Sequence, residues 1–322
     1  MVSVTRRAKK ISMMNKLGTF EKQYKKKQLM EIFHIITNMK KQTAKATAVV
    51  GASAVTGASE DVESRISVLK NMNEHSRDKH IRFQEEGHIY YVKGCTGYVS
   101  ATKFVHNFSR PFDADAIIAK MLASGRNKNY EGMKPWEIKK LWNDNGKIAR
   151  DMGTKMHFAI ECYYNDNAVA ERGIDDGLWQ DLDIEHAQFK NFLKIDIGLV
   201  PYRTEWCIYH EELKLTGCVD MVFRNASGGY DIYDWKRTKE IKCSAFDKFA
   251  CPALSHLPEC NFWLYSLQLN VYKFILEDKY GLRIDNLFLV AFHPDQKNFK
   301  KYSAPNLHDE LIECFQFKSM MK

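Results

Sequence analysis

A long apolar run is missing from this 322-residue chain. No stretch approaches the roughly 20 apolar residues that a membrane-spanning helix needs, so no membrane protein is expected. The N-terminus holds basic residues but lacks an apolar core of signal-peptide length, which points to an intracellular, non-secreted protein. A cysteine framework is missing too. Cys95, Cys162, Cys207, Cys218, Cys243, Cys251, Cys260 and Cys314 contain no C-x-x-C pair and no regular spacing. Scattered cysteines in a large chain are expected to be reduced thiols. A zinc site from Cys243, Cys251, Cys260 and His256 can be composed on paper, but unpaired thiols are the expectation.

Acidic residues are scarce in one place. Residues 1–46 hold twelve Lys or Arg against Glu21 and Glu31, a surplus of ten, while the remainder holds 36 basic against 38 acidic residues. The basic character therefore belongs to a tail. Such a tail either adds sequence-independent attraction to phosphates or is a solvated extension. Residues 21–41 can form an amphipathic helix, and the small residues of 42–60 read as a linker. The expected organisation is a basic tail and linker over 1–60 and one domain over 61–322. That domain has a helical part at about 98–196 and a sheet core at about 199–296.

What is present is a globular pattern, with 45% hydrophobic and 12% aromatic residues. Residues 61–77 can form a short helix, and IRFQEEGHIYYV, from Ile81, reads as a hairpin. Ser100 or Thr102 can cap a helix that starts near residue 100. A helix opened by Pro111 and Asp113 closes at Gly125. Residues 134–166 read as helical in two pieces, and 178–196 as another helix. The character changes at Leu199. Strand-like runs at 203–210, 213–224 and 230–235 form an antiparallel meander. A helix at 262–280 and a short strand, LFLVAFHP, follow.

Four groups of polar residues lie along this core. His157 and Glu161 are four apart and share a helix face. Gly217 lets the backbone approach closely just before Asp220. Asp234 and Lys236 are two apart on a strand, so they point into one space. Gln268 and Tyr272 are again four apart on a helix. Each group alone has an ordinary structural explanation: a core histidine, a turn aspartate, an edge ion pair, a polar contact line. Two carboxylates and a lysine set among apolar strands are nevertheless costly to bury without a partner, and a divalent cation is the simplest one.

Taken in order, His…GxxD…DxK…QLxxY resembles the PD-(D/E)XK nuclease superfamily and, within it, the RecB-like exonuclease branch. The resemblance covers roughly 98–296 and includes the GYVSATKF segment. NFWLYSLQLNVYKFILEDKYG is similar to the corresponding helix in nucleases of large DNA viruses. Val219 stands where the superfamily's nominal motif has proline. Cys243, Cys251 and Cys260 precede the QxxxY helix, so an iron–sulphur cluster is not supported.

The resemblance implies an α/β (α+β) fold with a restriction-endonuclease-like core, a central mixed sheet flanked by helices, and an N-terminal helical extension. It implies a metal-dependent deoxyribonuclease acting on single-stranded DNA or a duplex end, in repair, recombination or genome processing. The alternatives are a non-catalytic nucleic-acid-binding module and an RNA-directed nuclease. Mg²⁺ or Mn²⁺ would be held by Asp220, Asp234, His157 and the main-chain carbonyl of Trp235. Glu161 would join directly or through water, and Glu205 is a further carboxylate that can instead pair with a base. Lys236 would position the attacking water, Gln268 and Tyr272 would orient Lys236 or the scissile phosphate, and Arg237 and Lys239 would extend the positive surface toward DNA. The implied location is intracellular, whether nucleus, cytoplasm or viral factory. Among the aromatics Trp142, Phe158, Tyr163 and Tyr164, core packing is the expectation over base stacking.

Overall fold

The computed structural model describes residues 64–125, 128–169, 173–195 and 198–320. The helix expected at 21–41 and the linker at 42–60 lie outside the described residues. The described residues begin with a short helix α1 (Val68–Met72), the hairpin β1 (Ile81–Gln84) and β2 (Ile89–Val92), and the two-residue strand β3 (Val99–Ser100). Helices α2 (Ala101–His106), α3 (Ala114–Ser124), α4 (Pro135–Val169) and α5 (Asp183–Ile195) follow. Then come β4 (Val200–His210), β5 (Leu215–Arg224), β6 (Tyr230–Arg237), α6 (Asn261–Tyr280), β7 (Ile284–Phe292), β8 (Lys300–Ser303) and α7 (His308–Met320).

The ends of these elements follow local chemistry. Ser100 caps α2 by accepting from the Lys103 N–H, so it rather than Thr102 starts that helix. Asp113 caps α3 through the Ala116 N–H, and Gly125, at φ 59°, ends it in the left-handed conformation. One expectation is corrected. Residues 135–169 form one continuous helix of 35 residues, not two pieces. Gly146 and Gly153 weaken a helix but keep their N–H groups, so the hydrogen-bond ladder runs through both. A second correction is smaller. The helix expected from 178 begins at Asp183, because Asp176–Trp179 is a 3₁₀ turn.

Strands β3 to β8 build one mixed six-stranded sheet flanked by helices on both faces, the arrangement of a restriction-endonuclease-like α+β core. Strands β4, β5 and β6 form the antiparallel meander, β7 lies parallel to β6, and β8 closes the edge antiparallel to β7. One face packs against α2, α6 and α7 through Leu215, Val219, Val222, Ile232 and Leu289. The other packs against α4 and α5 through Met221, Phe223, Tyr233, Trp235, Val290 and Phe292. Trp235 stacks parallel to Tyr164 at 6.5 Å and edge-on to Phe192 at 5.3 Å. Burying a side chain of this size contributes about 2–3 kcal/mol. That pins the one residue of β6 that lies between Asp234 and Lys236.

Two details of the sheet position its polar residues. Strand β4 holds one edge of β5 along its length, while β3 and β6 share the other. The β3 ladder ends at Ser100–Thr216 and the β6 ladder begins at Met221–Tyr233, so residues 217–220 face a slit. The second detail is a reversal of alternation. Thr204 pairs with Met221 and Trp206 with Val219, leaving Glu205 and Asp220 opposite each other without a ladder pair. Glu205 adopts φ 39°, a left-handed conformation that costs a non-glycine residue about 1–3 kcal/mol. Val219 and Met221, two apart, consequently lie on opposite faces of the sheet.

Segment 73–80 straps onto β4. The buried Arg203 guanidinium donates to Asp78 at 2.6 Å and to the Asn73 carbonyl at 3.0 Å, and Trp206 Nε1 donates to Asp78 at 2.8 Å. No helix among the described residues is long and apolar enough to cross a membrane.

Candidate active site

The slit between β5 and β6 collects the polar groups. Asp220 stands where the two strands part, and its Oδ2 accepts from the Trp235 N–H at 2.8 Å. The carboxylate takes the amide that the ended ladder leaves over. From the α4 face, His157 Nε2 bonds the Trp235 carbonyl at 3.0 Å. That bond turns Nδ1 toward Glu205 Oε1 at 3.5 Å and Asp220 Oδ2 at 3.6 Å. From the α6 face, Asp234 is 2% exposed and lies 2.5 Å from Lys236 Nζ. The ammonium also sits 4.8 Å above the Tyr265 ring.

Helix α6 closes this side. Gln268 Nε2 donates to Tyr272 Oη at 2.6 Å, and both side chains are buried. The Tyr272 ring lies flush on Gly217, where a Cβ would meet ring carbon Cε1 at 2.3 Å. The glycine of the GxxD pattern is therefore a requirement of the tyrosine four residues beyond Gln268. Gln268 is joined to Tyr272, while the aromatic ring against Lys236 is Tyr265. Tyr265 escaped the sequence reading, although Tyr265, Gln268 and Tyr272 share a helix face by their spacing.

Burial dominates the electrostatics. It pushes the Asp220 carboxyl up to about 7, with the His157 charge opposing and Asp234 and Glu205 reinforcing. Glu161 is pushed up to about 8 by burial and by Glu205. Burial works against the His157 imidazolium, but Asp220 and Glu205 together hold it at about 9. Burial likewise opposes the Lys236 charge, and Asp234 and Asp220 outweigh it, holding the ammonium well above its ordinary value. Burial, with Asp234 next, pushes the Tyr272 phenol well up, so it stays protonated.

Among the described residues, one group of donors has the spacing of a cation site: His157, Glu205 and Asp220, with ligand atoms within 4.8 Å of one another. An imidazole nitrogen beside carboxylate oxygens suits Mn²⁺, and the oxygens suit Mg²⁺. Asp234 adds a second sign of fit. Its ammonium neighbour is close, yet neither buried carboxylate oxygen makes an aligned hydrogen bond. The Trp235 carbonyl already accepts from His157 and has a second lone pair to offer.

The remaining expected residues fall elsewhere. Arg237 donates through Nε to the buried Glu185 of α5 at 2.8 Å, and Lys239 pairs with Asp295 at 2.8 Å on the surface. Tyr164 is buried, Tyr163 is edge-on to Phe189, and Trp142 Nε1 donates to Tyr130 Oη. All eight cysteines are free thiols. Cys218 S–H donates to Glu205 Oε2 at 3.3 Å, a contact that sequence spacing could not reveal because it depends on cross-strand register.

No protein-family model matches the chain, and no curated protein matches it by sequence. Among solved structures, it is similar to the crystal structure of a "Putative exonuclease" from Eubacterium rectale, at 12% identity and a TM-score of 0.31, over 83% of this chain and 84% of that one. It is also similar to the crystal structure of SSO0001, at 16% identity and a TM-score of 0.23, over 52% and 71% of the two chains. Likeness at this level leaves the chemistry to be argued from the residues themselves.

Proposed function

We propose that the chain is a metal-dependent deoxyribonuclease, an exonuclease that hydrolyses phosphodiester bonds in repair, recombination or genome processing. The observation that carries this reading is the convergence in one slit of His157, Glu205 and Asp220 from one face and the buried Asp234–Lys236 pair from the other. Mg²⁺ or Mn²⁺ held by Asp220, Asp234, His157 and the Trp235 carbonyl, with Glu205 at the same corner, would supply Lewis-acid polarisation of the phosphate and an acidic bound water.

The chain's own groups do the rest. Lys236 remains an ammonium at neutral pH. It therefore acts by charge and donation, holding a water in place and favouring the water's ionised form, and does not itself accept the proton. Glu161, pushed up to about 8, exchanges a proton near neutral pH beside Glu205. Tyr272 holds a protonated phenol in the field of Asp234 and Asp220, steadied by Gln268. Tyr265 limits where the Lys236 ammonium can go.

The test is digestion of labelled single-stranded DNA, duplex DNA and RNA with Mg²⁺, Mn²⁺ or chelator. DNA cutting is expected only with metal, and Asp234→Asn or Lys236→Ala is expected to lower it by about 100-fold or more, with melting curves showing that the variants fold. Cutting that persists in chelator, or that survives both substitutions, overturns the proposal. Preferential cutting of RNA would move the substrate to the other nucleic acid.

A further inference from the structure

Cys207 and Cys218 are direct partners across the β4–β5 ladder. Their sulfurs are 3.9 Å apart, with Cys207 donating to Cys218 and Cys218 donating in turn to Glu205 Oε2 at 3.3 Å. Both thiols are half-buried and neither is bonded to another cysteine. Residues facing each other in an antiparallel ladder have Cα atoms about 4.5–5.5 Å apart, inside the roughly 4.4–6.8 Å that a disulfide spans. Cys251 and Cys314 are also neighbours, but both are buried and neither touches the slit.

We propose that Cys207 and Cys218 form a redox-active dithiol whose oxidation withdraws the hydrogen bond that holds Glu205 at the acidic corner. The inference about Glu205 rests on the metal-binding reading above; the disulfide itself does not. The oxidant is a small disulfide such as oxidised glutathione. The Cys207 sulfur, which lacks a carboxylate contact, attacks one glutathione sulfur and expels the other glutathione as a thiol, giving a mixed disulfide. Cys218 then attacks the Cys207 sulfur, gives up its proton and expels the second glutathione. Two protein S–H bonds and one glutathione S–S bond are exchanged for one protein S–S bond and two glutathione thiols.

Closing the bond removes the only S–H that Cys218 has. Glu205 Oε2 loses its donor, and the carboxylate keeps only the 3.5 Å contact of Oε1 with His157 Nδ1 to orient it. Donors behind a metal ligand set its orientation, and losing one costs about 10- to 100-fold in metal affinity.

The experiment treats the full folded chain with oxidised glutathione, counts thiols after denaturation, maps the linked peptides and measures Mn²⁺ affinity. An intramolecular bond is expected to map to Cys207–Cys218, while any loss at the exposed Cys95 and Cys243 is expected as added glutathione mass. Mn²⁺ affinity is expected to drop by about 10-fold and to return with reductant. Cys207→Ser leaves the Cys218 donor in place but cannot close the bond, so its Mn²⁺ affinity should ignore the oxidant. Peptides that show Cys207 and Cys218 still reduced overturn the proposal, as does a Cys207→Ser variant that loses Mn²⁺ affinity like the parent. None of these readouts needs nucleic acid, so a chain that cuts nothing leaves the dithiol standing. A chain that binds no Mn²⁺ refutes the metal reading while the peptide map still decides on the disulfide.

Discussion

The ring of Tyr272 occupies the space that a side chain at Gly217 would need: a methyl there would lie 2.3 Å from Cε1 and 2.9 Å from Cδ1. The ring is buried and tied by Gln268, so it cannot swing aside cheaply. Gly217→Ala should therefore destabilise the chain by about 1–3 kcal/mol, read as a fall in the denaturant midpoint. The clashing atoms are ring carbons. The same loss should therefore appear in a Tyr272→Phe background, and a loss that vanishes there would mean the hydroxyl was responsible.

On the proposed metal-binding reading, protons and a divalent cation compete for the slit. Asp220, Glu161 and His157 all titrate higher in the folded chain than their ordinary values, at about 7, 8 and 9. Each contributes stability that is complete below its ordinary value and lost as pH rises through the raised one. In chelator, these groups should cost stability between about pH 4 and pH 9. A divalent cation displaces the same protons, so its stabilising effect should grow with pH. At a hundredfold excess over Kd the gain is about 2.7 kcal/mol, or roughly 5 °C for a domain of this size. Thermal melts with Mn²⁺ and with chelator at about pH 6 and about pH 8.5 check this. Equal increments at the two pH values would contradict it.

Asp78 anchors the strap on β4 by accepting from the Arg203 guanidinium and from Trp206 Nε1. Both charged side chains are almost wholly buried. Asp78→Ala leaves Arg203 without its counter-ion and should cost about 3–5 kcal/mol. The exposed Lys155–Asp181 pair offers the contrast. Lys155→Ala should change stability by less than about 1 kcal/mol, and comparable losses in the two variants would refute the difference.

Much of this arrangement was legible from spacing. Asp234 with Lys236, and Gln268 with Tyr272, are set by the two-residue and four-residue periods of strand and helix, so their shared directions could be read without coordinates. The meander was legible from its turns, and the order of helices and strands from hydrophobic pattern. What stayed hidden depends on register and on defects in it. The proximity of Glu205 to His157 follows from a left-handed residue in mid-strand, which no propensity marks. Cys207 and Cys218 meet only because β4 and β5 align at one register. Strand β3 is two residues long and parallel to β5, too short to carry a pattern. Residues 134–166 read as two helical pieces, but packing of the C-terminal half of α4 against the sheet carries one helix through Gly146 and Gly153 despite their weak propensity.

The slit lets the two layers of helix reach one another through the sheet. Helix α4 delivers an imidazole from one side, and α6 lays two tyrosines and a glutamine on the other. A chain with only one layer docked would hold half of this set and lack the other half. The polar cluster is therefore complete only where both helix layers are docked on the sheet, so its integrity reports on the whole fold rather than on either half.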